Sequence, residues 1–311
     1  MNRRDFLKTF AVLAFPRDFG SHPTYKTEWW YITGWLGDAM GFQVTFFRAR
    51  PENVGDNPSA FAPRQILLAH AAIADPARGH LVHEERAARA GFSLAEAEEG
   101  RTAVWIDDWR LEQEGDRYRA RIPGRELDLD LGFGAAPIVA QGEGGISRKG
   151  RRPSETSHYY SQPQMKVEGK VDGKDVRGTA WLDHEWSDAY LAPEAAGWDW
   201  CGINLFDGGS LMAFRMRGRD GGTHYAPPGV SFEPLKSWKS PRTGIEYPVF
   251  MNVKTKNLSV RLEPLMSDQE LDARTTTGTI YWEGAVRAFE GDKEVGRGYL
   301  ELTGYGKPMK L

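Results

Sequence analysis

Cysteine is almost absent from this chain of 311 residues: Cys201 stands alone. One thiol excludes an intramolecular disulfide framework and any cysteine-rich metal site. Flanked by Trp200 and Gly202 in an apolar run, it reads as a buried structural thiol. Charge of one sign is lacking too. Lys and Arg number 40 against 43 Asp and Glu, a net charge of −3. That balance argues against capture of nucleic acid or of an anionic membrane surface. No segment is long and apolar enough for an integral membrane span. Helical periodicity is scarce, and the stretch His83 to Ala90 alone could hold a short helix. No glycine-rich loop precedes a helix, and neither a His-Glu-x-x-His spacing nor a Gly-x-Ser-x-Gly elbow occurs. Nucleotide binding, zincin chemistry and elbow-type serine hydrolysis therefore have no support. His80 and His83 read as a solvated loop, and neither metal nor other cofactor is expected.

What the chain does have is aromatic weight and strand signals. Hydrophobic residues make up 40% and aromatics 12%, which suffices for a sizeable core. Short alternating runs such as Gly41 to Phe47 and Leu127 to Leu131 lie between Gly, Pro and Asp turns, and 35 glycines with 18 prolines suit many tight turns. The chain is expected to be all-β.

The densest aromatic segment is Glu28-Trp29-Trp30-Tyr31-Ile32-Thr33-Gly34-Trp35-Leu36. Strand alternation sends Trp29, Tyr31 and Trp35 to one face and Trp30 to the other. Aromatics on both faces suggest a barrel wall with one side in a core and the other on a cavity for a large apolar ligand. The alternative is a Trp-rich core.

The chain also repeats itself. Trp109 precedes Tyr118 as Trp238 precedes Tyr247, and each Tyr leads to an alternating strand, Leu127 to Leu131 or Leu258 to Leu262. Glu168-Gly169-Lys170-Val171 matches Glu283-Gly284-Ala285-Val286, and Lys174 to Gly178 matches Lys293 to Gly298. Hairpins open at Trp30 and Trp200 and end at Phe47-Arg48 and Phe214-Arg215. Two copies of one β unit follow, over 16–190 and 191–311, joined at Leu191 to Ala196. A sheet of such size tends to curl shut, and an up-and-down barrel can hold an apolar ligand in its mouth. A pair of β-sandwiches is the alternative.

The N-terminal Asn2-Arg3-Arg4-Asp5-Phe6-Leu7-Lys8 resembles a twin-arginine export signal, assigned to 1–15, with a periplasmic destination. The apolar run Phe10 to Phe15 is shorter than the roughly seven to fifteen residues such signals use. Either the signal is degenerate or residues are absent between Phe15 and Pro16.

Three motifs together resemble the AttH-like family, relatives of the carotenoid 1,2-hydratases (hydroxyneurosporene synthases). They are Glu28 to Leu36, Tyr159-Tyr160-Ser161-Gln162-Pro163 and Trp181-Leu182-Asp183-His184-Glu185-Trp186-Ser187. The resemblance covers nearly all of 16–311. It implies two tandem lipocalin-like (calycin-type) antiparallel barrels, with a ligand cavity where they meet. In the hydratases a His-x-Trp pair belongs to the active site, and His184 and Trp186 match it. The Tyr and Asp that those enzymes use further along have no counterpart in Gly208 to Phe214.

Alternation puts His184 and Trp186 on one strand face, Asp183 and Glu185 on the other. Hydrating a carbon–carbon double bond needs a proton donor, a cation stabiliser and water. His184, Trp186, Glu28 and Asp183 are the candidate catalytic set, with Glu28 as a carboxylic acid of raised pKa among tryptophans. The alternatives are a core histidine and a Glu28 paired with Arg148 or Lys149. Candidate ligand contacts are Trp29, Trp30, Tyr31, Trp35, Arg148, Tyr159, Tyr160, Trp198, Trp200 and Trp282. Three functional readings follow: a carrier of an isoprenoid or other lipid, an acid-catalysed hydratase or cyclase, and a structural or assembly role with no ligand, which the aromatic density and His184 argue against. None fixes the oligomeric state.

Overall fold

Alternating apolar residues fold this chain into strands that pair mostly with their sequence neighbours. The computed structural model describes residues 13–52, 57–59 and 61–309, so the twin-arginine motif lies outside the described residues. The first sheet holds β1 (Thr27–Leu36), β2 (Met40–Ala49), β3 (Ile66–Ala74), β4 (Val82–Arg89), β5 (Ala95–Ala97), β6 (Ala103–Ile106), β7 (Trp109–Glu114), β8 (Arg117–Pro123), β9 (Asp128–Phe133), β10 (Val139–Ala140), β11 (Ile146–Arg148), β12 (Thr156–Val171) and β13 (Lys174–Ser187). Their order is β4-β3-β2-β1-β13-β12-β9-β8-β7-β6-β5, with β10 and β11 added to β12. The edges approach each other, and Arg86 on β4 donates to the Ile106 carbonyl of β6 at 3.3 Å. The second sheet holds β14 (Ala195–Leu205), β15 (Ser210–Gly218), β16 (Thr223–Tyr225), β17 (Ser231–Lys239), β18 (Glu246–Lys254), β19 (Ser259–Pro264), β20 (Glu270–Ala273), β21 (Thr279–Glu290) and β22 (Lys293–Leu302). Its order is β16-β15-β14-β22-β21-β19-β18-β17, with β20 on β21. These are two curled, antiparallel, lipocalin-like barrels. Among the described residues no helix is long and apolar enough to cross a membrane.

One sequence expectation is corrected. His83 to Ala90 is not a helix but most of β4, paired with β3 along its whole length. Val82, Ala88 and Ala90 pack on the barrel core. All three sit at even positions, a period of two rather than 3.6.

Both sheets share one plan, in which the last long strand returns beside the first: β13 beside β1, β22 beside β14. The register refines the repeat. Glu28 lies opposite Arg48 and Trp186, and Asp199 opposite Arg215 and Leu302. Glu28 therefore corresponds to Asp199. The matching of Trp30 with Trp200 is off by one residue, since Trp30 faces the first barrel's interior and Trp200 the space between barrels. Glu168 and Glu283 are not equivalent either. Glu168 is three residues from the end of its strand, whereas Glu283 is mid-strand and buried.

Three apolar clusters result: one inside each barrel and one between them. The middle cluster joins Tyr31, Trp35 and Trp181 to Trp198, Trp200 and Tyr299. Trp35 closes the joint with an N–H bond to the Gly298 carbonyl, 3.0 Å away. Gly41 is a point of close approach. A Cβ there would stand 2.5 Å from the Ala285 Cβ and 2.6 Å from the Tyr299 hydroxyl. Gly41→Val should therefore cost about 1–3 kcal/mol in urea unfolding by wedging the barrels apart. Gly132→Ala, whose added carbon would meet its nearest neighbour at 3.7 Å, should leave stability unchanged within about 1 kcal/mol.

Candidate functional site

Strand β13 divides two chemistries. Held by β1 on one side and β12 on the other, it sends His184 and Trp186 into the first barrel and Asp183 and Glu185 toward the second.

Inside the barrel, His184 Nε2 lies 2.9 Å from Glu28 Oε1 and Nδ1 lies 3.2 Å from the Tyr160 hydroxyl. Trp30 stacks on the imidazole at 4.7 Å. Glu28 is enclosed by further donors: His22 Nδ1 at 2.8 Å, the His22 N–H at 2.9 Å, Ser21 Oγ at 3.1 Å and Arg48 Nε at 2.8 Å. Trp186 lies between the rings of His22 and His158, at 3.7 and 5.2 Å. Burial pushes the Glu28 carboxyl up, but hydrogen bonds from His184 and His22 and the Arg48 charge outweigh it, holding the pKa well below the usual carboxylate range. Desolvation lowers that of His184 despite Glu28. Glu28 is thus an ionised, paired carboxylate rather than the raised acid expected, and its partner is Arg48 rather than Arg148 or Lys149. The donor atoms of His22, Glu28 and His184 all lie within 4.8 Å of one another, close enough for a metal ion. Arg48 already supplies the counter-charge, so we read the set as an ion-pair network.

On the other face lies a cavity of about 350 Å³ between the barrels. Trp29, Tyr31, Phe47, Tyr190, Trp198 and Trp200 supply its aromatic wall, and Asp183, Glu185, Glu283 and Glu301 its acids. Asp183 accepts from Tyr159 at 2.7 Å, Ser161 at 2.5 Å and Trp181 Nε1 at 2.7 Å. Desolvation still dominates and pushes it up to about 7. Glu185 accepts from Ser157 and pairs with Lys149 Nζ at 2.6 Å; burial raises its pKa against the Lys149 charge. Lys149 is itself lowered by burial and sits 4.1 Å from the Phe214 ring centre. Glu283 and Glu301 are cross-strand partners. Burial, then mutual repulsion, raises Glu283 well above its ordinary value, and burial takes Glu301 to about 7. Glu301 keeps some accessible surface, and it borders the cavity. His70, pushed down to about 3 by desolvation, is a neutral ring 2.8 Å from the Tyr281 hydroxyl.

The sequence candidates thus separate into groups. Trp29, Tyr31, Trp198, Trp200 and Asp183 line the cavity, and Glu28 borders it. Tyr159 backs it, bonded to Asp183 and, at 3.1 Å, to Trp200 Nε1. Trp30, Tyr160, His184 and Trp186 face the first barrel's interior. Trp35 is in the inter-barrel cluster, beneath Arg297 and Arg287. Trp282 faces the second barrel's core, and Arg148 bonds the Arg151 carbonyl on an exposed turn. Sequence reasoning offered Lys149 as a partner for Glu28 rather than Glu185, placed Glu185 beside Asp183 without a role, and passed over Glu283, Glu301 and Gln43. The acids were signalled by charge inside apolar strands, as in Tyr299-Leu300-Glu301-Leu302.

The sequence matches the AttH-like family profile over residues 8–305. Among solved structures, a provisional AttH from Nitrosomonas europaea is 44% identical, with a TM-score of 0.88 over 96% of this chain and 98% of that one. Kievitone hydratase from Nectria haematococca is 14% identical, with a TM-score of 0.65 over 97% of this chain and 95% of that one. Among curated proteins none matches the sequence.

Two predictions follow from the buried acids, with opposite signs. Glu28→Gln leaves Arg48 buried without a counter-charge and should cost about 3–5 kcal/mol in chemical denaturation. Its stabilising effect is present above the usual carboxylate range and is lost as pH falls through the lowered folded value. Asp183 behaves in reverse. Unfolded, it ionises near 3.8, and folded near 7, so the native state loses stability as pH rises between those values and no more above. Asp183→Asn removes that slope. Its stability relative to the parent should rise by up to about 4 kcal/mol between about pH 4 and pH 7.

Proposed function

The chain belongs to the AttH-like family, and on that premise we propose that it binds an apolar small molecule between its barrels and acts on a carbon–carbon double bond by acid catalysis. The observation that carries this reading is Asp183, a carboxyl with a pKa of about 7 on an aromatic cavity wall. Near neutral pH a large fraction stays protonated, as a general acid requires. The Asp183 proton passes to one alkene carbon as the π bond breaks, leaving a carbocation and a carboxylate. Trp29, Tyr31 and Trp200 line the same cavity, and an aromatic face presented to the cation would stabilise it by about 0.5–2 kcal/mol per ring. Water then adds to the cation, and its surplus proton returns to Asp183. The reverse sequence is a dehydration. The likeness to kievitone hydratase, at 14% identity, speaks for the fold alone.

A carrier without chemistry is the second reading, favoured by one observation. His184, which matches the hydratase pair, faces away from the cavity and is engaged with Glu28 and Tyr160. An isoprenoid or other lipid is the ligand class in both readings. Export to the periplasm is part of the proposal and rests on Arg3-Arg4.

Native mass spectrometry of the protein incubated with a lipid extract in heavy-oxygen water separates the readings. The enzyme reading predicts a retained apolar molecule and a product heavier by one labelled water. With Asp183→Asn the molecule should be retained and the product fall at least about a hundredfold, the usual contribution of a general acid. Retention without product in the parent protein makes it a carrier, and no retention removes both readings.

A further inference from the structure

Among the described residues, three polar atoms at the cavity have no partner within 3.5 Å, although Tyr31 and Glu283 interact with each other at longer range. The three are the Tyr31 hydroxyl, Gln43 Oε1 and Glu283 Oε1. Their residues are only 6%, 2% and 2% exposed, and all three line the cavity. Each unmet buried polar group costs about 1–3 kcal/mol, so three in one wall require an explanation. The Gln43 amide is oriented by its own bonds, because Nε2 donates to Thr45 Oγ1 and to Glu283 Oε2, both at 2.9 Å. That leaves its oxygen free.

We infer that Tyr31, Gln43 and Glu283 form a polar end of the cavity that seats the hydroxyl group of an otherwise apolar ligand. This inference rests on the small-molecule reading above. Two oxygens and a phenol suit a group that both donates and accepts, which is what an alcohol or a phenol offers. An anionic head would meet Asp183, Glu185, Glu283 and Glu301, with Lys149 already committed to Glu185 at 2.6 Å. An ammonium head would need ionised acids, whereas burial favours their neutral forms here. The seat draws on both barrels: Tyr31 from β1, Gln43 from β2, Glu283 from β21. It exists only where the barrels dock. It lies apart from Asp183 in role, fixing one end of a ligand whose double bond Asp183 protonates.

Isothermal titration of the full chain with naphthalene, 2-naphthol, 2-naphthylmethylamine and 2-naphthoate tests this. The 2-naphthol should bind at least about tenfold more tightly than naphthalene, about 1.4 kcal/mol, although water alone favours burial of the hydrocarbon. In Tyr31→Phe and Gln43→Met that preference should fall to about twofold or less, with naphthalene affinity retained. Equal binding of naphthol and naphthalene by the parent protein overturns the polar seat while leaving the cavity reading intact. Preference surviving in both variants, or tighter binding of the amine or the carboxylate, also overturns it. If no probe binds, the cavity reading fails with it.

Discussion

Desolvation of carboxyl groups is the constraint on which this structure depends. An ionised carboxylate taken out of water must find charge or donors, or else take up a proton. The molecule resolves this in opposite ways on the two faces of one strand. Glu28 is fully buried, yet Arg48, His22 and His184 keep it ionised. Asp183 is equally buried and accepts three hydrogen bonds, but among the described residues no cation pairs with it, and its pKa rises to about 7. Burial alone therefore does not set the outcome. The donors and charge gathered round each carboxyl do: His184 and His22, then Arg48, for Glu28.

From that difference the division of labour follows. Beside the apolar core of the first barrel, an ion-pair network around Glu28 fixes the N-terminal segment to β1, β2 and β13. The space between the barrels is where acids are left protonated beside aromatic rings. Docking of the second barrel creates that space. It brings Glu283, Glu301, Trp198 and Trp200 against Trp29, Tyr31 and Asp183. Neither barrel alone has the whole set, which gives a physical reason for the tandem arrangement.

Much of this was legible in the sequence. The period of two in Trp29-Trp30-Tyr31 assigned the tryptophans to opposite faces, and the same rule split His184 from Asp183. Both separations are present in the fold. The duplication showed two β units because turn spacing survives divergence. What stayed hidden depended on register and on pairs distant in sequence. A one-residue slip reverses every side chain, so matching Trp30 with Trp200 joined residues that face different spaces. Arg48 could not be chosen as the partner of Glu28 before β2 was set opposite β1. Lys149 reaches Glu185 across a loop, and Glu283 meets Gln43 across the barrel joint. No local pattern encodes either contact.

The proposed chemistry depends on Asp183 remaining protonated close to neutral pH on the wall of an apolar cavity. Infrared difference spectroscopy of the protein and its Asp183→Asn variant at about pH 6 reads this directly, through the carbonyl stretch of a protonated carboxyl group. A protonated Asp183 gives such a band in the parent protein, shifted by heavy water and reduced in the variant. Spectra in which the parent shows no protonated carboxyl band that Asp183→Asn removes would contradict that protonation.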